Sequence, residues 1–212
     1  MSDRTRTIHD VEELRKELNA AREELAWRSV AVEHVADCRV FRVERHRNID
    51  PRGDRAHDFY VLDAPDWINV VPLTRDGHVV MIEQYRHGTD EVTLEIPGGM
   101  VDGAETPREA AARELLEETG YRARRIIALG RARPNPAIQN NWIHTFLAQD
   151  VEQICAPSSD GTEQTVVRLI SRRDVAHLIA RGVIDHALVI VGFHLLDLYE
   201  AGVISSAELD ES

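Results

Sequence analysis

Residues 99–121 read GMVDGAETPREAAARELLEETGY, and this stretch decides how the rest of the chain is read. Thr106 is placed to cap a helix whose first residue is Pro107, Glu109 completes a capping box, and Gly120 stands where a left-handed residue ends it. At about 100° per residue, Glu114 and Glu118 lie one turn apart on one stripe, with Glu117 beside them. Like charges at that spacing repel and weaken a helix, so the arrangement makes sense if divalent cations neutralise it. Hard oxygen ligands favour Mg2+, with Mn2+ as a substitute, over zinc. Ala111, Ala112, Leu115 and Leu116 are expected on the opposite face, packed against a sheet. Arg113 precedes Glu117 by four and can pair with it. Gly98 and Gly99 allow close backbone approach, which makes a carbonyl there a candidate further ligand. The competing reading of the same residues is a surface helix with a solvated acid face.

Outward from this helix the chain mixes strands and helices without repeats. Val11, Leu14, Leu18, Ala21 and Leu25 predict an amphipathic helix over 10–26, opened by Asp10. It needs a partner surface. Alternating runs VAVEHV, RVFRVERH and HDFYVLDA then predict a small antiparallel sheet of about three strands, with a polar turn at 48–54. From Trp67 the strands become more apolar, with INVVPLT and HVVMIEQY joined as a hairpin through Arg75-Asp76-Gly77. TLEIPGGMVDGAE reads as a strand running into a glycine-rich loop. Further strands are expected around 124–130, 142–148 and 164–170, and helices around 172–181 and 186–201.

The 212 residues, 43% hydrophobic, suffice for a folded core. A net charge of -12 argues against a nucleic-acid partner, since that binding is driven by lysine and arginine displacing counterions. Cys38 and Cys155 form no metal-binding spacing and no disulfide framework, as expected in a reducing cytoplasm. No window has the apolar length of a membrane span, and the first residues lack the apolar core of an export signal.

The stretch from Gly99 resembles the Nudix box, GX5EX7REUXEEXGU with U a bulky aliphatic, at every fixed residue. Only Tyr121, aromatic at the final U, departs. The resemblance implies an α/β fold, an α/β/α sandwich around a mixed sheet. It also implies metal ligation by Glu114 and Glu118, with Glu117 and the carbonyl of Gly99. Segments Trp67–Thr74, Glu83–Gly88 and Leu94–Gly99 look like the branch that hydrolyses ADP-ribose and nucleoside diphosphate sugars, in which a small N-terminal sheet precedes the catalytic domain. The organisation expected is therefore an N-terminal helix and dimerisation sheet over 1–65, a catalytic domain over 66–205, and a frayed acidic tail over 206–212.

For this branch the resemblance implies Mg-dependent cleavage of a pyrophosphate bond into a nucleoside monophosphate and a sugar phosphate. The rival readings are a nucleoside triphosphate house-cleaning hydrolase and an inactive nucleotide-sugar sensor. Arg86 corresponds to an arginine that meets the substrate phosphates, and Pro136 to a proline about fifteen residues after the box. Glu95 is either a substrate contact or a salt-bridge partner of Arg86. Trp27 is a candidate to stack on a base across a homodimer. Glu163, in a loop, and Glu117 compete for the role of catalytic base, and Arg113 orients the acids. His144, alternating with apolar residues, reads as structural.

Overall fold

The computed structural model describes residues 10–158 and 164–205, which divide into two compact units, Met1–Asp63 and Ala64–Ser212. In the first unit, helix α1 (Val11–Leu25) opens where the Asp10 carboxylate accepts the amides of Glu12 and Glu13 at 2.7 and 3.0 Å. It stops at the extended Ala26. Strands β1 (Arg28–Asp37), β2 (Arg42–Ile49) and β3 (Ala56–Asp63) follow as an antiparallel meander, with bulges in β1. Trp27 meets the edges of His57 and Phe59, with ring centroids 5.5 and 5.1 Å apart. No described residue of this unit is buried. The stripe predicted for α1 is bare, with Val11 and Leu18 71% and 61% exposed.

The second unit contains β4 (Trp67–Leu73), β5 (His78–Arg86), β6 (Glu91–Glu95), β7 (Gly98–Met100), α2 (Pro107–Thr119), β8 (Tyr121–Arg122), β9 (Arg125–Ala132), β10 (Ile143–Gln149), β11 (Glu152–Gln153), β12 (Thr165–Ser171), α3 (Val175–Ala180) and α4 (Ala187–Glu200). Seven of these strands form one mixed sheet along the path β12-β5-β4-β10-β9, in which β10 runs parallel to β4 and the other pairings are antiparallel. Strands β4 and β5 touch only at Leu73 and Val79 and then part. The gap is taken by β6, paired to β5, and β7, paired to β4, while the Val70 amide donates to the Pro97 carbonyl at 2.8 Å. The residues expected as a glycine loop thus begin as a short strand, because this gap offers their backbone partners.

Alternation along the strands divides the core in two. Val71, Val79, Met81, Leu129 and Leu147 pack with α3 and α4, whereas Ile68, Val70, Val80, Phe146 and Ala148 pack with Ala110, Ala111 and Leu115 of α2. This is the α/β/α sandwich that the resemblance implies. The expected apolar face of α2 needs correction. Ala112 is exposed and Leu116 only partly covered, while Ala110, Ala111, Leu115, Glu118 and Thr119 form the buried stripe. Ala112 falls about 100° beyond Ala111, past the edge of the contact, and the buried stripe takes in Glu118.

Candidate active site

Helix α2 carries both sequence-encoded ends. Thr106 and Glu109 form the reciprocal capping box, and Gly120, at φ 74°, donates its amide to the Leu116 carbonyl at 2.8 Å. Between these ends two of the box carboxylates, Glu114 and Glu118, turn toward the sheet. Glu118, 7% exposed, accepts the Gly98 amide at 2.9 Å. Glu114 lies against Gly99, where an added Cβ would stand only 2.5 Å from the carboxyl carbon. Gly98 is equally cramped, since a Cβ there would meet the Ile68 carbonyl oxygen at 2.6 Å. The glycines therefore let acid and backbone share one small volume.

Arg113 organises the acids that remain. Its guanidinium donates to both oxygens of Glu105 at 2.7 and 3.1 Å, to Glu114 at 2.8 Å, to Glu117 at 3.1 Å and to the Met100 carbonyl at 3.1 Å. Hydrogen bonding from Arg113, then from the Asp102 amide, holds the Glu105 carboxyl below its usual range. The Arg113 guanidinium is correspondingly held in its charged form, chiefly by its bond to Glu105. Sequence reading fixed on the Glu117 pairing and gave Glu105 no role. The usable signal was the position of Glu105 as the motif's first acid.

Removing the guanidinium leaves three carboxylates without their shared cation, so Arg113→Met is expected to cost about 2–3 kcal/mol at neutral pH. Because the folded pKa of Glu105 is depressed, its contribution is present above the ordinary carboxylate value and is lost as pH falls through the folded one. The melting-temperature gap between wild type and variant should therefore narrow in acid. A gap independent of pH between 7 and 3.5 would contradict this account of the cluster.

Strand register brings a second group to the same sheet face. Val80 packs toward α2, so Ile82, Gln84 and Arg86 follow it by alternation, opposite Glu95, Thr93 and Glu91 of β6. Arg86 grips Glu95 with two parallel bonds of 2.7 and 2.6 Å, and the Thr93 hydroxyl donates to the same carboxylate at 2.6 Å. Burial pushes the Glu95 carboxyl up, but the bonds from Arg86 and Thr93, aided by the charges of Arg86 and His186, outweigh it and hold it low. The salt-bridge reading of Glu95 is thus realised, and at 3% exposure it serves Arg86 before any ligand.

The other candidate residues are dispersed. Pro136 is exposed in the 133–141 turn, which Arg133 closes by donating to the Asn140 carbonyl while stacking 3.5 Å over Trp142. Trp27, 37% exposed, packs within its own unit. His144 hydrogen-bonds to Asp66 at 3.0 Å, a structural role. Glu163 and the 206–212 tail lie outside the described residues. The flanks of the Glu163 segment are anchored to α2: the Ser158 amide donates to the Glu117 carbonyl at 2.8 Å, and the Thr165 hydroxyl to the Glu118 carbonyl at 2.9 Å.

Among the described residues, no group of three His, Cys, Asp or Glu side chains is gathered closely enough to hold a metal by itself. The donors along α2, together with the Gly99 carbonyl, are all oxygens and suit a hard divalent cation. A family model for the NUDIX domain matches residues 63–190. The chain belongs to the Nudix family. It is similar to the ADP-ribose pyrophosphatase of Bacillus subtilis (strain 168), 31% identical over 101 residues, covering 48% of this chain and 54% of that one. It is also similar to the ADP compounds hydrolase NudE of Escherichia coli (strain K12), 31% identical over 121 residues, covering 57% and 64%. The match spans about half the length of the Bacillus relative. A crystal structure of an ADP compounds hydrolase shares the fold of this Nudix chain, with a TM-score of 0.74 and 24% identity over 83% of this chain and 95% of that one.

Proposed function

We propose that this Nudix protein hydrolyses the pyrophosphate bond of ADP-ribose or a related nucleoside diphosphate sugar, with Mg2+ as cofactor and Mn2+ as a substitute. The observation that carries the reading is the pair Glu114 and Glu118 set against the Gly98-Gly99 backbone, with Glu117 held beside them by Arg113, on the sheet face that also holds Arg86. A bound divalent cation would acidify water and stabilise charge on phosphoryl oxygens. The chain itself supplies Arg86, braced by Glu95, as a rigid cation for the diphosphate, and Arg113 as the clamp that fixes the acids. Water adds to one phosphorus, the bridging oxygen leaves with the other, and a carboxylate takes the proton from the water.

The test is a screen of nucleotide sugars, dinucleotides and triphosphates for Mg-dependent release of monophosphate. AMP and ribose 5-phosphate from ADP-ribose is the expected outcome. Preferential release of pyrophosphate from triphosphates would transfer the protein to the house-cleaning class.

A homodimer formed through residues 10–65 belongs to the same proposal. The stripe Val11, Leu14, Leu18 and Leu25 is exposed, and the three-stranded sheet buries no described residue, which is marginal for an isolated element. A second copy would cover both through a self-complementary twofold contact. Sedimentation is expected to give a dimer for the full chain and a monomer for a shortened chain starting at Asp66. A monomeric, fully active full-length protein at micromolar concentration removes the dimer.

A further inference from the structure

Gln84 is a buried polar residue of the second unit whose side-chain oxygen is unaccounted for. It is 4% exposed, yet its Oε1 has no hydrogen-bond partner among the described residues. A buried amide oxygen left without a donor costs on the order of 1–3 kcal/mol, so its retention calls for an explanation. The obvious local donors are committed elsewhere. Gln84 pairs across the sheet with Thr165 on one side and Thr93 on the other. The Thr165 hydroxyl donates to the Glu118 carbonyl at 2.9 Å, and the Thr93 hydroxyl to Glu95 Oε1 at 2.6 Å.

These same bonds locate the side chain. Thr165 reaches the last turn of α2, so it faces that helix, and directly paired residues on neighbouring strands share a face. Gln84 therefore stands on the α2 face, between the strand residue tied to Glu118 and the Thr93-Glu95-Arg86 group. It is placed between the carboxylate arc and Arg86, and although its backbone carbonyl accepts the Thr93 hydroxyl at 3.3 Å, its Oε1 bonds to neither group. An acceptor there, enclosed but unsatisfied, suits a donor that arrives with the ligand.

We infer that Gln84 is a positioning residue for the divalent cation, its Oε1 accepting a hydrogen bond from water in the cation's coordination sphere. This rests on the proposed metal dependence and adds to it a residue outside the box motif. An outer-sphere partner orients water without contributing charge, and losing one costs about 10–100-fold in metal affinity. An amide suits this role. A carboxylate at Gln84 would add charge beside Glu118, and an apolar side chain would offer no acceptor.

The test compares wild type with Gln84→Met, close in volume and apolar, and Gln84→Asn, which keeps the amide but shortens its reach. Mg2+ alone is titrated calorimetrically, and melting is followed with and without the ion. Gln84→Met should melt at or above the wild-type temperature in metal-free buffer, because it removes an unsatisfied buried acceptor, and should bind Mg2+ about 10-fold or more weakly. Gln84→Asn should also bind the ion more weakly. Gln84→Met with wild-type Mg2+ affinity overturns the inference, as does a variant that melts well below wild type without metal, which marks an ordinary packing residue. Wild type that binds no Mg2+, or loses none of its affinity in Glu118→Gln, instead sinks the metal reading beneath it.

Discussion

Glu118→Gln is expected to reduce turnover by about 10³-fold or more, since a lost charge in a metal-dependent phosphoryl site is worth several kcal/mol of transition-state stabilisation. The fold should survive the change. The amide is nearly the same size as the acid, and its carbonyl oxygen can keep accepting the Gly98 amide now held at 2.9 Å. Stability in metal-free buffer should hold or rise, because Glu118 is a nearly buried charge beside Glu114 and its neutral counterpart is cheaper to enclose. The informative quantities are kcat at saturating magnesium and the melting temperature of the same preparation. Retention of more than about a tenth of wild-type activity, a barrier change below about 1.4 kcal/mol, would remove Glu118 from the metal site. Loss of activity accompanied by loss of cooperative melting would assign the residue to the fold instead.

The case of Glu118 also shows what sequence could and could not disclose. The ends of α2 were legible because capping is local chemistry: Thr106, Pro107, Glu109 and Gly120 lie within a few bonds of the groups they satisfy. Strands β4 and β5 were legible because their apolar runs, joined by the Arg75-Asp76-Gly77 turn signal, suit strands buried on both faces. The direction of the carboxylates was not. Helical periodicity groups Glu114 and Glu118 correctly, but a charged pair is by default assigned to solvent, and here the partner surface is the backbone of β7. That strand is itself a tertiary product. Gly98–Met100 has little strand propensity and forms only because β4 and β5 part and leave open edges between them. Likewise Ala110 rather than Ala112 packs inward, and which side of the helix meets the sheet is a tertiary fact that no single-helix pattern contains. The Arg86–Glu95 bridge could be foreseen as one of two options, and the β5–β6 register decides for it. For the α1 stripe, sequence identified apolar surface in want of cover, which the first unit alone leaves bare.

The catalytic base divides two glutamates that differ in what already holds them. Glu117 is tied to Arg113 at 3.1 Å and sits one helical turn from it, so its orientation is fixed by the clamp that also fixes Glu105 and Glu114. A carboxylate so engaged is suited to ligation or to orienting its neighbours, because one lone pair is already committed. Glu163 belongs to a segment whose described flanks, Ser158 and Thr165, are hydrogen-bonded to the carbonyls of Glu117 and Glu118. Both described flanks of the Glu163 segment are thus tied to the last turn of α2. Glu163→Gln is accordingly expected to lower kcat by roughly 10²–10⁴-fold, the usual worth of a general base, with Mg2+ affinity nearly unchanged. Glu117→Gln should instead weaken Mg2+ binding as well as rate. The pH profile separates a base from a ligand, since loss of a base abolishes the acid limb of kcat/KM while loss of a ligand shifts the magnesium requirement and leaves that limb in place. A neutral Glu163→Gln, together with a Glu117→Gln variant that lacks the acid limb at saturating magnesium, would return the base to the helix and give the Arg113 contact the task of setting its proton affinity.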